Sequence, residues 1–273
     1  MKCSLTDYLS NITLISENTI FTHEDCCKII KELDKNKDKW EPRKIGEEFL
    51  TCGTVAYLDT YEVAQIESYS ILGINDDYVK NNYQNKARLI NPFLWKSFQW
   101  VYKKIQNYYQ ERLNKPLVYW YKYDDPFIKA LPAFHIFQYP ELINKGKWEP
   151  PIHFDHPHLE VSWPEKLIQT FTFTIALQLP KCTSGLRYWE NEDIFIPILT
   201  PTHTKYFHEM IESEKEILRR EAKYLPYSEG CIYEHHGNMY HQIAEGGDFV
   251  DDERRITLQG HLAETEKEII IYV

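Results

Sequence analysis

The sequence predicts a mainly β protein with flanking helices, a sandwich or barrel braced from outside. Three observations predict it. Beyond about residue 117 apolar and polar residues alternate at period two. Before that point two stretches repeat at helical spacing. No internal repeat, low-complexity run or Gly/Ser linker divides the chain. Its 273 residues suffice for one large core. The expected organisation is one domain over 1–273, with an N-terminal helical supporting part over 1–130. A β core over 131–265 would carry a helical insert at 202–224.

The first helix starts at Thr22, where Thr22 and Asp25 form a capping-box-like pair. Cys26, Ile29, Ile30 and Leu33 follow at helical spacing, and the polar run 34–39 ends it. A second helix is predicted from Asn91-Pro92, an N-cap and first-turn pair. Phe98, Val101, Ile105, Tyr108, Tyr109 and Leu113 form its apolar stripe, suited to bracing a sheet. The clearest strand is 168–179. Phe171, Phe173, Ile175, Leu177 and Leu179 share one face; Thr170, Thr172, Thr174 and Gln178 share the other, toward either a barrel interior or solvent. Residues 255–262 alternate too. Between these strands, Tyr206, Met210, Ile217 and Leu218 repeat helically among many charges, a solvated helix face. Short strands with an inserted helix suit a sandwich or barrel. Tyr119 to Tyr123 reads as an aromatic core strand or a substrate platform.

Composition excludes several functions. The 31 Lys and Arg against 41 Asp and Glu give a net charge of −10, with no basic run, which argues against nucleic acid. No stretch of 18 apolar residues exists, so no helical membrane span is expected. Residues 1–7 lack the apolar core of a secretory signal. Six cysteines, at 3, 26, 27, 52, 182 and 231, include no C-x-x-C pair. Reduced thiols in a cytoplasmic protein are therefore expected.

The chemistry concentrates at His153-Phe154-Asp155. On a strand, residues two apart share a face, so an imidazole and a carboxylate converge. A second His would complete two imidazoles and one carboxylate around a metal, leaving open positions suited to non-heme Fe(II). His241 fits: residues 230–243 read as strand, Gly-Asn turn, strand, a hairpin that returns a His to the site. Arg255 and Thr257 then share a strand face. An inward guanidinium is costly unless paired, and a small ligand's carboxylate is its natural partner. An ion pair of Arg255 with Glu253 or Asp252 is the alternative.

His153, Asp155, His241, Arg255 and Thr257 together resemble the motif of the Fe(II)/2-oxoglutarate-dependent dioxygenases: H-x-D, a distant His, then R-x-S/T. Gln138-Tyr139 resembles the Tyr-containing strand that precedes H-x-D in the prolyl 4-hydroxylase-like branch. Gly185-Leu186 and the Gly230…His241-Gln242-Ile243 stretch are similar to that branch as well. The resemblance covers about 134–262. It departs in its spacings: 86 residues (241 − 155) separate Asp155 from His241, and 14 (255 − 241) separate His241 from Arg255. The insert 202–224 and the acidic loop 246–253 account for these lengths.

The resemblance implies a double-stranded β-helix core, jelly-roll or cupin-like. It implies Fe(II) on His153, Asp155 and His241, with 2-oxoglutarate and O2 as co-substrates and ascorbate as a stimulant. Arg255, Thr257 and Tyr139 would hold the 2-oxoglutarate. Arg254 is the rival to Arg255, and a packed aromatic is the alternative reading of Tyr139. The implied reaction hydroxylates a small metabolite or an amino-acid- or peptide-derived substrate and releases succinate and CO2. Asp155 stands where the family's halogenases lack a carboxylate, which leaves hydroxylation, desaturation or cyclisation. His156, His158, His235 and His236 compete as ligands. His135 and His261 are read as structural, and Arg187 and Trp189 as candidates for the substrate side. A non-catalytic β-barrel binding module and a zinc hydrolase with the same ligands are the alternatives.

Overall fold

The structure is a computed structural model. It describes residues 16–43, 46–55, 76–120, 129–138, 152–155, 163, 165–181, 184–190, 204–205, 211–237, 239–244 and 253–272.

Helix α1 spans His23–Lys35 and has the expected capping box: Asp25 N donates to Thr22 Oγ1 and Thr22 N to Asp25 Oδ2, each at 3.1 Å. It buries Cys26, Ile29 and Leu33. Helix α2 spans Asp76–Leu113 and corrects the expected start at Asn91. Pro92 lies inside the helix, and the backbone leaves helical geometry at Phe98 (φ −125°, ψ 16°). The side chain of Asn91 donates instead to the Lys129 carbonyl at 2.8 Å. The predicted stripe is buried: Phe98, Val101, Ile105 and Tyr109, joined by Leu94 and Tyr102. Lys104 on α2 pairs with Asp25 on α1 at 2.8 Å, tying the helices together.

The larger sheet runs β1 (Ser16–Thr19), β11 (Cys231–His236), β7 (Gln169–Gln178), β13 (Arg254–Glu264), β5 (Ala133–Gln138), β3 (Gly46–Cys52), β2 (Glu41–Arg43). Strand β14 (Ile269–Tyr272) pairs with the far end of β13, and β4 (Leu117–Tyr119) with β14. The smaller sheet runs β10 (Lys223–Pro226), β8 (Gly185–Tyr188), β12 (His241–Ala244), β6 (Ile152–His153), β9 (Thr204–Lys205). From β5 onward the chain passes from one sheet to the other: β5 in the larger, β6 in the smaller, β7 in the larger, β8 and β10 in the smaller. It continues through β11, β12 and β13 in the same alternation. This crossing pattern is a double-stranded β-helix, the jelly-roll core expected. All pairings but β14 with β4 are antiparallel.

Three expectations need correction. The segment before residue 117 contributes strands β1, β2 and β3 to the larger sheet besides its helices. The insert is narrower than 202–224: helix α3 spans Glu212–Glu221, and β9 and β10 flank it. Strands β11 and β12 do not form a hairpin, because the turn between them carries the chain from one sheet to the other.

The two faces of the larger sheet divide the work. Phe171, Phe173, Ile175, Leu177, Ile256, Leu258 and Leu262 pack with the stripe of α2 in one apolar cluster. The threonines of β7 line the other face, toward the smaller sheet. There Ala176, Cys231 and Tyr233 meet Leu186, Tyr227 and Met239. A register shift between Ile256 and Thr257, opposite residues 176–178, turns Gln178 outward, where it accepts from Arg254. Tyr119 belongs to the apolar core and Trp120 packs near Trp163; Tyr121 to Tyr123 lie outside the described residues. Among the described residues no helix is long and apolar enough to cross a membrane.

Gly230 opens β11 with φ +81°, and its carbonyl accepts from Ile20 and Phe21. A Cβ there would lie 2.1 Å from the Phe21 carbonyl oxygen. We expect Gly230→Ala to destabilise the fold by about 2–4 kcal/mol, from left-handed strain plus overpacking. Denaturant midpoints measure this; an unchanged midpoint would refute the account of this turn.

Candidate active site

His153 ends β6 and His241 begins β12, and the two stand directly opposite each other across the pair of strands. Their rings lie 4.4 Å apart, centroid to centroid. Asp155 follows His153 by two residues and turns to the same side. The ligating atoms of His153, Asp155 and His241 all lie within 4.8 Å of one another. Nε2 of His153 is 3.8 Å from Asp155 Oδ1, and Nε2 of His241 is 3.7 Å from Oδ2.

Backbone and sheet hold these groups in place. Asp155 N donates to the Gly237 carbonyl at 2.9 Å, in the crossing between β11 and β12. Thr172 of β7 donates its hydroxyl to Asp155 Oδ2 at 2.6 Å. His241 Nδ1 lies 2.9 Å from the Met239 carbonyl, which can only accept, so Nδ1 carries the proton and Nε2 offers its lone pair. Burial alone would raise the Asp155 pKa. The imidazoles of His241, His261, His235 and His153 outweigh it and hold the carboxyl far below the usual carboxylate range. Burial pushes His241 down to about 4 despite the opposing pull of Asp155. Near neutral pH Asp155 is therefore a carboxylate and His241 a neutral imidazole, the protonation states a metal ligand needs.

Arg255 projects into the same interior from β13 and is 1% exposed. Its guanidinium lies between the rings of Phe137 and Tyr227, 5.4 and 5.6 Å from their centroids. Among the described residues its Nε and Nη1 are buried without a hydrogen-bond partner. Neighbouring Arg254 faces the other way and forms a bidentate pair with Asp34 of α1, at 2.5 and 3.0 Å. Glu253 accepts from Lys181 N and is not the partner of Arg255. Thr257 is fully buried, and its hydroxyl accepts from Gln259 Nε2 at 3.1 Å.

Other expectations fare unevenly. Tyr139, His156, His158 and the loop 246–252 lie outside the described residues. Arg187 bonds Gln242 at 2.9 Å, and Trp189 is buried and donates to the Leu218 carbonyl of α3. Both stand away from the interior, as strand alternation requires once Leu186 faces inward. His236 faces the ring of Phe171 on the helix side of the sheet. His261 Nδ1 is 3.0 Å from Thr172 Oγ1 and so joins the site indirectly. His135 pairs in register with both Thr51 and Thr257.

Two residues of the site were not anticipated as such. Tyr227 lies under Arg255 and stacks on Tyr233 at 4.2 Å. His235 lies 3.8 Å from Asp155. Tyr227 carries no pattern signal because it lies in the short connection between β10 and β11, and the sequence presents His235 as a competitor of His241.

No family model matches the chain, and no curated protein does. Among solved structures it is similar to an N-substituted L-amino acid dioxygenase from Burkholderia ambifaria AMMD, at 17% identity, TM-score 0.44 and 91% coverage of each chain. It is also similar to the non-heme alpha ketoglutarate dependent epimerase SnoN from nogalamycin biosynthesis, at 10% identity and TM-score 0.41, over 91% of this chain and 79% of that one. A Pseudomonas putida prolyl-4-hydroxylase is similar at 9% identity and TM-score 0.33, over 96% of this chain and 97% of that one. Likenesses this distant leave the assignment of an activity to the chain's own residues.

Burial, reinforced by the charges of Arg43 and Arg255, pushes His135 down to about 3. Its folded pKa thus lies below its unfolded value of about 6.5, and the unfolded chain takes up the proton first. Its contribution to stability is intact above about pH 6.5 and is lost as pH falls toward 3. We expect the melting temperature of the metal-free protein to fall over that window, and less so in His135→Gln. Equal slopes for the two proteins would contradict this origin.

Proposed function

We propose that the chain is a non-heme Fe(II)/2-oxoglutarate-dependent oxygenase. Its reaction is hydroxylation of an unactivated C–H in a small metabolite or an amino-acid- or peptide-derived substrate, with release of succinate and CO2. One observation carries the reading. A fully buried guanidinium with two unbonded nitrogens shares an interior with two imidazoles and a carboxylate. A zinc hydrolase or a passive binding barrel has no use for that guanidinium. A co-substrate with a metal-chelating end and a distal carboxylate uses both features.

The residues suit these groups. Two imidazoles and one carboxylate form the facial set that suits non-heme Fe(II) and leaves three positions open. Among the described residues Nε and Nη1 of Arg255 have no partner, and a carboxylate would supply one in bidentate geometry. Iron, 2-oxoglutarate and O2 together supply the oxidising power.

The protein's own part is placement. The Met239 carbonyl fixes the tautomer of His241, and Thr172 holds Oδ2 of Asp155 so that Oδ1 remains available. Arg255 anchors the distal carboxylate, clamped between Phe137 and Tyr227. Ala176, Leu186 and Met239 keep water from the space beside it. Tyr139 remains a proposed contact of the co-substrate.

Succinate release with Fe(II), 2-oxoglutarate and ascorbate tests this reading. We expect His153→Ala and Asp155→Ala to abolish it. Arg255→Ala removes charge-assisted hydrogen bonds of about 1.5–3 kcal/mol. We therefore expect KM for 2-oxoglutarate to rise roughly 10- to 100-fold. Arg254→Ala breaks the tie to α1 and leaves that KM in place. Turnover that survives His153→Ala, or a KM that follows Arg254 rather than Arg255, would refute it.

A further inference from the structure

His261 lies on β13, and its Cα partner in β7 is Thr172. The residue is buried. Its other register partner is Tyr272 of β14, whose ring lies 5.5 Å from the imidazole at a 31° tilt. The imidazole is therefore held between two strands. Its Nδ1 is 3.0 Å from Thr172 Oγ1, and Thr172 Oγ1 is 2.6 Å from Asp155 Oδ2. Nothing in the proposed reaction calls on this side chain.

Counting protons fixes the direction of both bonds. A carboxylate only accepts, so the bond to Asp155 takes the single hydroxyl proton of Thr172. That hydroxyl has only lone pairs left for His261, so Nδ1 carries a proton and donates. The opposite tautomer, with Nδ1 bare, would draw the Thr172 proton to itself and strip Asp155 Oδ2 of this donor. The tautomer of His261 thus decides where the threonine proton points. Two donors in series also polarise each other, which strengthens the terminal bond. The sheet register supplies the alignment by setting imidazole and hydroxyl side by side on adjacent strands.

We propose, resting on the metal-site reading above, that His261 is a positioning residue of the metal centre. Its Nδ1–H commits the Thr172 proton to Asp155 Oδ2 and so holds the carboxylate in the orientation that offers Oδ1 to the ion. His261 is not a ligand; its whole effect passes through Thr172. A hydrogen bond to a ligating carboxylate restrains its orientation, and losing such a partner typically weakens metal binding about 10- to 100-fold.

The test uses the full chain, stripped of metal, with Co(II) alone titrated in a calorimeter. We expect His261→Phe, which keeps the ring packing but no donor, to raise the Co(II) Kd roughly 10-fold or more. Thr172→Val should raise it as far, and the double variant no further than Thr172→Val, because the two residues act in one chain. His261→Asn sets an amide N–H where Nδ1 stands and should restore the wild-type Kd. His261→Gln carries its amide past that point and should not; it replaces His261→Phe if the phenylalanine variant folds poorly. A Kd unmoved by His261→Phe or His261→Gln would overturn the proposal. So would losses that add in the double variant, or a failure of His261→Asn to rescue. Co(II) binding insensitive to His153→Ala and Asp155→Ala would instead overturn the metal-site reading beneath it.

Discussion

The carboxylate of Asp155 joins the two sheets chemically. It follows β6 of the smaller sheet, yet Thr172 of the larger sheet holds its Oδ2, and the Gly237 carbonyl holds its backbone. His153 and His241 approach from one side and His235 from the other. An isolated carboxylate could not stay ionised at this depth, since desolvation would neutralise it. The imidazoles and the threonine make the charge tolerable. The interior can then hold an anion at one end and a guanidinium at the other without collapsing the two onto each other.

That separation depends on the larger sheet. Its outer face is apolar and clamped by α2, which fixes the plane and twist of β5, β7 and β13. Its inner face is polar and carries Thr172, Thr174, His135, Arg255 and Thr257. A one-residue slip would exchange the faces, expose the apolar row and bury the wrong side chains. The bulge opposite residues 176–178 uses the same rule locally. It leaves Thr172 and Thr174 inward and sends Gln178 outward to Arg254. The salt link of Arg254 to Asp34 then ties this edge to α1, while Arg255 turns inward. Adjacent arginines with opposite tasks follow from strand alternation alone.

Much of this was legible in the residues. Period two gave the faces of β7 and β13, and the spacing of His153 and Asp155 gave their convergence. The capping box located α1. What escaped depended on tertiary context. Proline usually opens a helix, which predicts a start of α2 at Asn91-Pro92; here it lies within one, and Asn91 serves the Lys129 carbonyl. Strands β1, β2 and β3 are short and borrow their partners from distant residues, so local pattern does not reveal them. A hairpin was inferred around Gly237 because a turn between strands cannot show, from sequence, which sheet each strand joins. Tyr227 was invisible for the same reason: only packing puts it under Arg255.

The proposed preference for Arg255 over Arg254 rests on energetics rather than motif. Arg254 has a carboxylate, partial exposure and good geometry, so its charge is fully answered. Arg255 has two aromatic rings and no anion among its hydrogen-bonding contacts. Cation–π contacts return about 2 kcal/mol when desolvated, less than the several kcal/mol that burying an ion costs. A fold does not retain such a debt at a core position unless something offsets it for part of the time. Under the proposed function a ligand carboxylate would do so, and its binding energy would be raised because the partner is already dehydrated and held in place. On that proposal the guanidinium is half of an interaction whose other half arrives with a small molecule.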